Sequence, residues 1–319
     1  MNKQQKDRIE KMESIFVPYP NLITIHNKLK EILFMDRSFA EPECVLITGY
    51  SGSGKTSFMK KFLSNHPVIH GDEVDIHPVI YVEIPSQANI KDLCIVILKA
   101  LSDPFDNTKL TKNQLSPKVI NFIKKTHTKL LVLDEFQHLT YNSSAAKVDN
   151  VANWIKYFIN QTNIPVLIMG MPESEHILSE NTQLSRRFYS RFKLSFFSIS
   201  SAQGVSTYYK FLNDLSEEIE FENSTMILDK FYAISLFYLA NNNMALLMRI
   251  IRFACRVAAF QSHKKLEDIH FLVTLFEMRH LKHIEEFLNI FQTHDYRLVQ
   301  EKLVKESVDW NSIDEYFSN

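Results

Sequence analysis

The sequence predicts an α/β fold in which a parallel sheet flanked by helices is followed by an all-helical region. Between residues 44 and 199, short runs rich in β-branched residues alternate with helical stretches. This alternation is typical of a parallel sheet that is covered on both faces. After about residue 200 the strand patterns stop and only helical periodicity continues.

We expect five strands, with helices before, between and after them. The predicted strands cover residues 44–48, 79–84, 129–134, 165–169 and 192–197. The predicted helices cover residues 3–14, 21–35, 54–64, 89–102, 114–126, 203–217, 228–241 and 243–262, with one or two more within 265–306. Pro18 and Pro20 separate the first two helices, because proline does not continue a helix.

Length and charge limit the classes of function. The chain has 319 residues, of which 45% are hydrophobic and 23% are charged, enough for one α/β core and a smaller helical module. Its formal net charge is −1. A protein that coats nucleic acid with its whole surface is usually basic. Any contact with DNA must therefore come from a local patch, or from a patch repeated by oligomerisation.

The composition indicates a cytoplasmic protein without a membrane segment. No apolar run approaches the roughly 20 residues that a membrane helix needs. The first residues, MNKQQKDRIEKMESI, are charged and helix-like, unlike a signal peptide. Cys44, Cys94 and Cys255 share no CxxC spacing, so we expect reduced, buried thiols.

A phosphate-binding loop follows the first predicted strand. Residues 49–56, GYSGSGKT, fit the pattern G-x-x-x-x-G-K-[ST], with a strand before them and a helix after them. Glycines let the backbone N–H groups wrap around a phosphate at a helix N-terminus. Lys55 is expected to reach the β- and γ-phosphates of ATP, and the Thr56 hydroxyl to ligate Mg²⁺. The full set of predicted nucleotide contacts in this loop is Gly49, Ser51, Gly52, Ser53, Gly54, Lys55, Thr56 and Ser57.

An acidic pair ends the third predicted strand. Leu130 to Leu133 are apolar, and Asp134 and Glu135 follow them. Asp134 is expected to hold Mg²⁺ and Glu135 to polarise the attacking water. A nucleotide kinase would usually lack the second acid, because its nucleophile is an oxygen of the substrate. The pair therefore favours ATP hydrolysis.

Two arginines lie just before the fifth predicted strand, in the segment QLSRRF of residues 183–188. In ring ATPases an arginine at this place acts as a finger that stabilises the γ-phosphate in the neighbouring subunit's site. Arg187 and Arg186 are the candidates for this catalytic role, and Arg191 is a weaker one. The alternative is a solvated basic helix end.

Two sensor positions depart from the pattern of such ATPases. The fourth strand is followed by Gly170-Met171-Pro172-Glu173, with no asparagine at the usual sensor place. In the helical region, Ala245 stands where many relatives have a sensor arginine, although Arg249 and Arg252 follow in the same helix. We therefore expect hydrolysis to be slow or dependent on assembly.

These motifs predict a P-loop AAA+ core followed by an all-helical lid and C-terminal helices. We expect an N-terminal helical segment over residues 1–43 and the nucleotide-binding core over 44–199. The helical lid would cover residues 200–262, and a C-terminal helical extension would cover 263–319.

The chain resembles the TniB/TnsC family of transposition regulators over about residues 8–200. The resemblance rests on the order of several segments along the chain. These are FVPYP at 16–20, the loop at 49–56, YVEIPS at 81–86, LDEFQHL at 133–139, IPV at 164–166, GMPE at 170–173 and QLSRRF at 183–188. Beyond residue 200 the likeness is only architectural.

The resemblance implies an AAA+ ATPase that polymerises on double-stranded DNA with ATP and links target selection to a DDE transposase. Some members serve CRISPR-associated transposons with a TniQ-type adaptor. By match, Lys55, Thr56, Asp134 and Glu135 take the nucleotide roles, Arg187 takes the finger role, and Val17 and Pro18 line the adenine pocket.

The family also implies a DNA surface near residues 107–112, where Lys109 and Lys112 are the candidate contacts. A solvated loop is the alternative there, and Lys118, Lys124 and Lys147 are the next candidates. A replication initiator or helicase loader is the rival function, and it predicts a C-terminal winged helix. A small-molecule kinase is a second rival, against which Glu135 and the arginine pair argue.

Overall fold

The computed structural model describes residues 3–35, 41–140, 144–179, 181–303 and 308–318. The chain forms two compact units. Unit 1 consists of Met1–Pro20, Gly52–Gly54 and Ser195–Asn319, and unit 2 consists of Asn21–Ser51 and Lys55–Leu194.

Unit 2 contains a five-stranded sheet with the strand order β2-β3-β4-β1-β5, and all its pairs are parallel. The strands are β1 (Val45–Gly49), β2 (Val79–Glu83), β3 (Leu130–Asp134), β4 (Val166–Gly170) and β5 (Ser190–Leu194). Every residue of β1, β3 and β4 is buried, as expected for strands of a parallel sheet covered on both faces. The predicted α/β fold is confirmed.

The fifth strand was predicted wrongly to cover 192–197. It begins at Ser190 and ends at Leu194, which pairs with Gly49, the last residue of β1. Because β1 ends there, β5 has no partner beyond Leu194. Phe196 and Phe197 instead pack with rings of unit 1, among them Phe237 at 5.4 Å and Tyr208 at 5.3 Å between ring centroids.

Helices flank this sheet. They are α2 (Pro20–Phe34), α3 (Lys55–Ser64), α4 (Ile90–Ala100), α5 (Lys112–Lys125), α6 (Gln137–Thr140), α7 (Ala145–Thr162), α8 (His176–Ser179) and α9 (Thr182–Ser185), with a 3₁₀ turn at Pro172–Glu175. The sequence patterns assigned no element to the 18-residue α7. The structure also starts α5 at Lys112, because Thr111 and Gln114 form a capping box there.

A buried polar contact links three helices of unit 2. The Ser116 hydroxyl of α5 accepts a hydrogen bond from Trp154 Nε1 of α7 at 3.0 Å, and Cys94 Sγ of α4 lies 3.8 Å from the same oxygen. Cys44, Cys94 and Cys255 are buried thiols, as predicted.

Unit 1 is helical in its described part, apart from one isolated β-bridge. Its helices are α1 (Lys3–Ser14), α10 (Ala202–Glu218), α11 (Lys230–Ala240), α12 (Met244–Phe260), α13 (Asp268–Glu277), α14 (Lys282–Thr293), α15 (Tyr296–Leu303) and α16 (Trp310–Ser318), with a 3₁₀ turn at Ser224–Leu228. Three of them fall within 265–306, where one or two were predicted. His294, with φ 53°, ends α14 in the left-handed conformation, so α15 is a separate helix.

The N-terminal helix α1 packs on α12 within unit 1. Gln5 donates to the Phe260 carbonyl at 3.0 Å, and Arg8 donates to the carbonyls of His263 and Glu220, each at 3.1 Å. Three aromatic residues of α11, Phe231, Tyr232 and Phe237, are buried in the core of unit 1. Among the described helices, none combines the length and apolar character of a membrane span.

Candidate nucleotide-binding site

The carboxyl edge of the sheet collects the predicted phosphate-site residues of unit 2. Strand β4 lies between β1 and β3. The loop that follows β1 and the acidic pair at the end of β3 therefore flank the end of β4. Ligands of open parallel sheets bind at such an edge.

Lys55 is the first residue of α3 and is only 7% exposed. Its Nζ donates to the carbonyl oxygens of Gly49 and Tyr50, the latter at 3.2 Å. Burial lowers the pKa of the Lys55 ammonium, and the carboxylates of Asp134 and Glu135 oppose that change. The ammonium thus lies within the electrostatic field of the predicted Mg²⁺ ligand Asp134 and the predicted catalytic residue Glu135.

Asp134 is fully buried, and both its oxygens accept hydrogen bonds. Oδ1 accepts from the backbone N–H of Glu135 at 2.8 Å. Oδ2 accepts from the Tyr81 hydroxyl at 2.7 Å and lies 3.4 Å from Thr56 Oγ1. Burial and this contact with Asp134 strongly raise the pKa of Tyr81, so its hydroxyl remains a donor. Tyr81 lies on β2, and nothing in the sequence pattern had assigned it a role in the site.

Glu135 is half-buried, and its backbone has φ 54°. Left-handed backbone is uncommon for residues other than glycine and is often found at functional sites. One oxygen of its carboxylate, Oε2, accepts a hydrogen bond from Nε2 of Gln137. Gln137, the first residue of α6, is another residue that the sequence pattern did not assign to the site.

The tip of the phosphate loop belongs to unit 1. Gly52 and Gly54 have φ of 81° and 94°, which glycine adopts without strain. The Gly52 carbonyl accepts from the backbone N–H of Ala245 at 2.9 Å, so the start of α12 contacts the loop. A Cβ on Gly52 would lie 2.2 Å from Oδ1 of Asn243, the N-cap residue of α12. The loop and α12 therefore fit together only with glycine at position 52.

The segment before α2 also contacts the loop within unit 1. The Tyr19 hydroxyl donates to the Ser53 carbonyl at 3.2 Å, and burial raises the pKa of Tyr19. Val17 is buried and Pro18 is exposed. Arg252, one of the two alternative sensor arginines, donates to the carbonyl of Ile15 at 2.7 Å, whereas Arg249 is exposed.

The three arginines near β5 differ in their surroundings. Arg187 donates to Asn160 Oδ1 at 2.8 Å, lies 3.6 Å from Glu41, and has a side chain that is 17% exposed. Arg191 pairs with Glu175 at 3.1 Å. Arg186, the C-cap residue of α9, is exposed, and within the described part of the chain no hydrogen bond or ion pair holds its side chain.

A second group of titratable residues lies in unit 1, where His263, Glu267 and His270 approach one another within 4.8 Å. The backbone N–H of Glu267 donates to Nδ1 of His270 at 2.9 Å. The neutral ring of His270 therefore carries its proton on Nε2, which faces His263 Nδ1 at 2.9 Å. This nitrogen is a hydrogen-bond donor, so the arrangement fits a histidine pair better than a metal site.

The hydrogen bond from Tyr81 generates a prediction for Tyr81→Phe. Phenylalanine cannot donate, so Asp134 loses a hydrogen bond of the charged class, worth about 1.5–3 kcal/mol. We expect the Mg²⁺ concentration for half-maximal ATP hydrolysis to rise about tenfold, with kcat at saturating Mg²⁺ nearly unchanged. Tyr157→Phe, on the exposed face of α7, is the control. An Mg²⁺ dependence equal to that of the parent would contradict the role of Tyr81.

Solved structures with the same fold include several initiator proteins. Cdc6p from Pyrobaculum aerophilum superposes with a TM-score of 0.57 at 15% identity, covering 84% of this chain and 70% of that one. The Orc1 protein of Aeropyrum pernix, solved in complex with DNA, superposes with a TM-score of 0.57 at 14% identity, covering 96% of this chain and 78% of that one. Domain III of DnaA from Thermotoga maritima superposes with a TM-score of 0.50 at 16% identity, covering 87% of this chain and 98% of that one. At these identities the likeness establishes the AAA+ fold.

The family assignment comes from sequence. No curated protein matches the chain. A family model described as bacterial TniB protein matches residues 8–197, which is more than half of the 319 residues and includes the phosphate loop, the acidic pair and the arginine pair. The chain therefore belongs to the TniB family and is an AAA+ ATPase.

Proposed function

We propose that this chain is an ATP-controlled, DNA-binding regulator of transposition that assembles on target DNA. The proposal rests on one observation. A chain of the TniB family brings Thr56, Asp134 and Glu135 together at the edge of an AAA+ sheet, where Lys55 also lies. ATP would favour the assembled state, and hydrolysis would release it.

The residues fit a nucleotide with Mg²⁺. The Thr56 hydroxyl and the Asp134 carboxylate, 3.4 Å apart, are the oxygen ligands that Mg²⁺ prefers. Lys55 would contact the β- and γ-phosphates. Mg²⁺ would neutralise the charge that develops on the phosphates, while Glu135 would orient and polarise the attacking water.

Two substitutions test the nucleotide site. Lys55→Ala removes the positive charge that would pair with the phosphates, so we expect ATP binding to be abolished. Glu135→Gln keeps the shape of the side chain but not its basicity, so it should bind ATP normally, hydrolyse it at least about 100-fold more slowly, and accumulate the assembled state. The measurements are nucleotide affinity, phosphate release and sedimentation. Parental hydrolysis by Glu135→Gln would refute the water-polarising role.

The arginine pair would complete the site of a neighbouring copy in a ring or filament. A finger must be free to leave its own subunit, and the exposure of Arg186 suits this better than the hydrogen bond from Arg187 to Asn160. We therefore propose Arg186 as the stronger of the two candidates, with Arg187 the one implied by the family.

Mixed assemblies test action in trans. A subunit that carries Arg186→Ala with an intact phosphate loop should regain hydrolysis beside a Lys55→Ala subunit, because the latter donates its arginine. Each variant alone should fail to hydrolyse ATP. The Arg186→Ala variant should nevertheless still bind nucleotide. If Arg187→Ala regains hydrolysis beside Lys55→Ala and Arg186→Ala does not, Arg187 is the finger, as the family implies. If neither variant complements, the arginine pair does not act in trans.

A basic groove on unit 2 supports contact with DNA. Two adjoining depressions of about 330 and 360 Å³ share Lys112 and Asn150. Their lining includes one lysine from the first turn of each of three helices, Lys91 of α4, Lys112 of α5 and Lys147 of α7. Later turns of α5 and α7 supply much of the rest. Helix N-termini and lysines both attract phosphate groups. The groove thus has the chemistry of a surface for the phosphate backbone.

The predicted DNA residues differ in their availability. Lys109 and Lys112 are exposed, and Lys112 lines both depressions. Lys118 instead lies 2.6 Å from Asp103 and donates to Asn107 at 2.8 Å, so it stabilises the turn before α5. A monomer with so few free lysines would bind weakly, and repetition in an assembly would multiply the phosphates that are neutralised.

Replacing Lys112 and Lys147 with Ala should weaken binding to duplex DNA equally for all sequences. The slope of log affinity against log salt should fall by about 0.9 for each phosphate that a subunit no longer neutralises. Lys109→Ala with Lys112→Ala is the companion variant. Lys60→Ala with Lys61→Ala removes the same charge from exposed positions of α3 that do not line the groove, and is the control. An equal weakening in the control would show that net charge, and not this groove, governs binding.

The proposed partners are a DDE transposase and, as in some family members, a TniQ-type adaptor. The rival function, a replication initiator or helicase loader, draws on the fold of the Cdc6 and Orc1 structures. That rival predicts a C-terminal winged helix. In the part of residues 195–319 that the structure describes, the elements are helices, and no strand pair of a wing is present.

A further inference from the structure

Gln137 links the acidic pair to the end of β4. Its Nε2 donates to Oε2 of Glu135, and its Oε1 accepts from the backbone N–H of Met171 at 3.0 Å. The residue is only 6% exposed. Both ends of one buried amide are therefore used, and they connect the carboxylate after β3 with the chain just after β4.

The backbone of β4 leaves room for this amide. A Cβ on Gly170 would lie 2.6 Å from Gln137 Oε1 and 2.2 Å from Ser174 Oγ. Any larger residue at the end of β4 would displace the amide. Gly170 and Gln137 thus form one arrangement, although 33 residues separate them in the sequence (170 − 137).

No asparagine stands after β4, where the sequence pattern of such ATPases has its sensor residue. Strand β4 ends here with Met169 and Gly170, and Met171 follows, so this strand supplies no side-chain amide. The amide comes instead from the turn after β3.

We propose that Gln137 is a positioning residue for ATP hydrolysis, which holds Oε2 of the Glu135 carboxylate and leaves the other carboxylate oxygen to the attacking water. The inference rests on the proposed role of Glu135. A glutamate carboxylate needs such a restraint, because rotation about its side-chain bonds would move the oxygen away from the water. The hydrogen bond to Met171 fixes the amide itself, so the restraint is carried by the backbone of the sheet edge.

Gln137→Met tests this role, because methionine has a similar length and no hydrogen-bonding amide. We expect kcat for ATP hydrolysis to fall about 10- to 100-fold, with KM for ATP and nucleotide affinity within about twofold of the parent. In the Glu135→Gln background the same change should lower hydrolysis no further, because the carboxylate that it positions is absent. Gln292→Met, at an exposed position of α14, is the matched control.

Gln137→Glu separates the two hydrogen bonds of the amide. Glutamate has the same length and keeps an acceptor for the backbone N–H of Met171, but it offers no N–H donor to Glu135. Measured at about pH 8, kcat for ATP hydrolysis should therefore fall about as far as in Gln137→Met, with nucleotide affinity within about twofold of the parent.

The outcomes separate the two proposals. Parental hydrolysis by Glu135→Gln would overturn the role of Glu135. An inactive Glu135→Gln beside a Gln137→Met of parental kcat would overturn the role of Gln137 alone. If Gln137→Met also fails to bind nucleotide, Gln137→Glu decides, and a parental kcat in that variant overturns the inference.

Discussion

The position of β4 between β1 and β3 is the constraint on which the candidate site depends. Parallel pairing aligns the carboxyl ends of the three strands, with Thr48 opposite Gly170 and Leu133 opposite Ile168. The phosphate loop and the acidic pair consequently lie on either side of one short strand end. Because that end is a glycine, the space between them is open to side chains from the turn after β3.

Buried charge explains the polar contacts of this edge. Asp134 is fully buried and Lys55 nearly so. An ion removed from water is costly unless hydrogen bonds and opposite charges compensate it. Tyr81, Thr56 and the Glu135 N–H supply the compensation at Asp134, while carbonyls and two carboxylates supply it at Lys55. Groups held in this way need little rearrangement when charge develops during a reaction.

A net charge of −1 restricts how such a chain can engage DNA. Some of its lysines form ion pairs within the fold, as Lys118 does with Asp103. Lys112 and Lys147, in the first turns of α5 and α7, lie on one local surface near helix N-termini. In the proposed function such a weak patch would gain affinity mainly when assembly repeats it along the duplex, which would link DNA binding to the subunit interface and hence to ATP.

The sequence by itself determined the features that depend on short-range patterns. The sequence predicted five strands, the phosphate loop, the acidic pair and the change to helices after residue 200. Each of these features depends on a short run of consecutive residues. Only the tertiary structure decided where β5 ends, since its limit is the end of β1, its partner in the sheet. It also decided that Tyr81 binds Asp134 across 53 positions, and that Gln137 reaches the chain after β4 across 34. These contacts arise from strand order and from the space beside Gly170, and neither has a local signature in the chain.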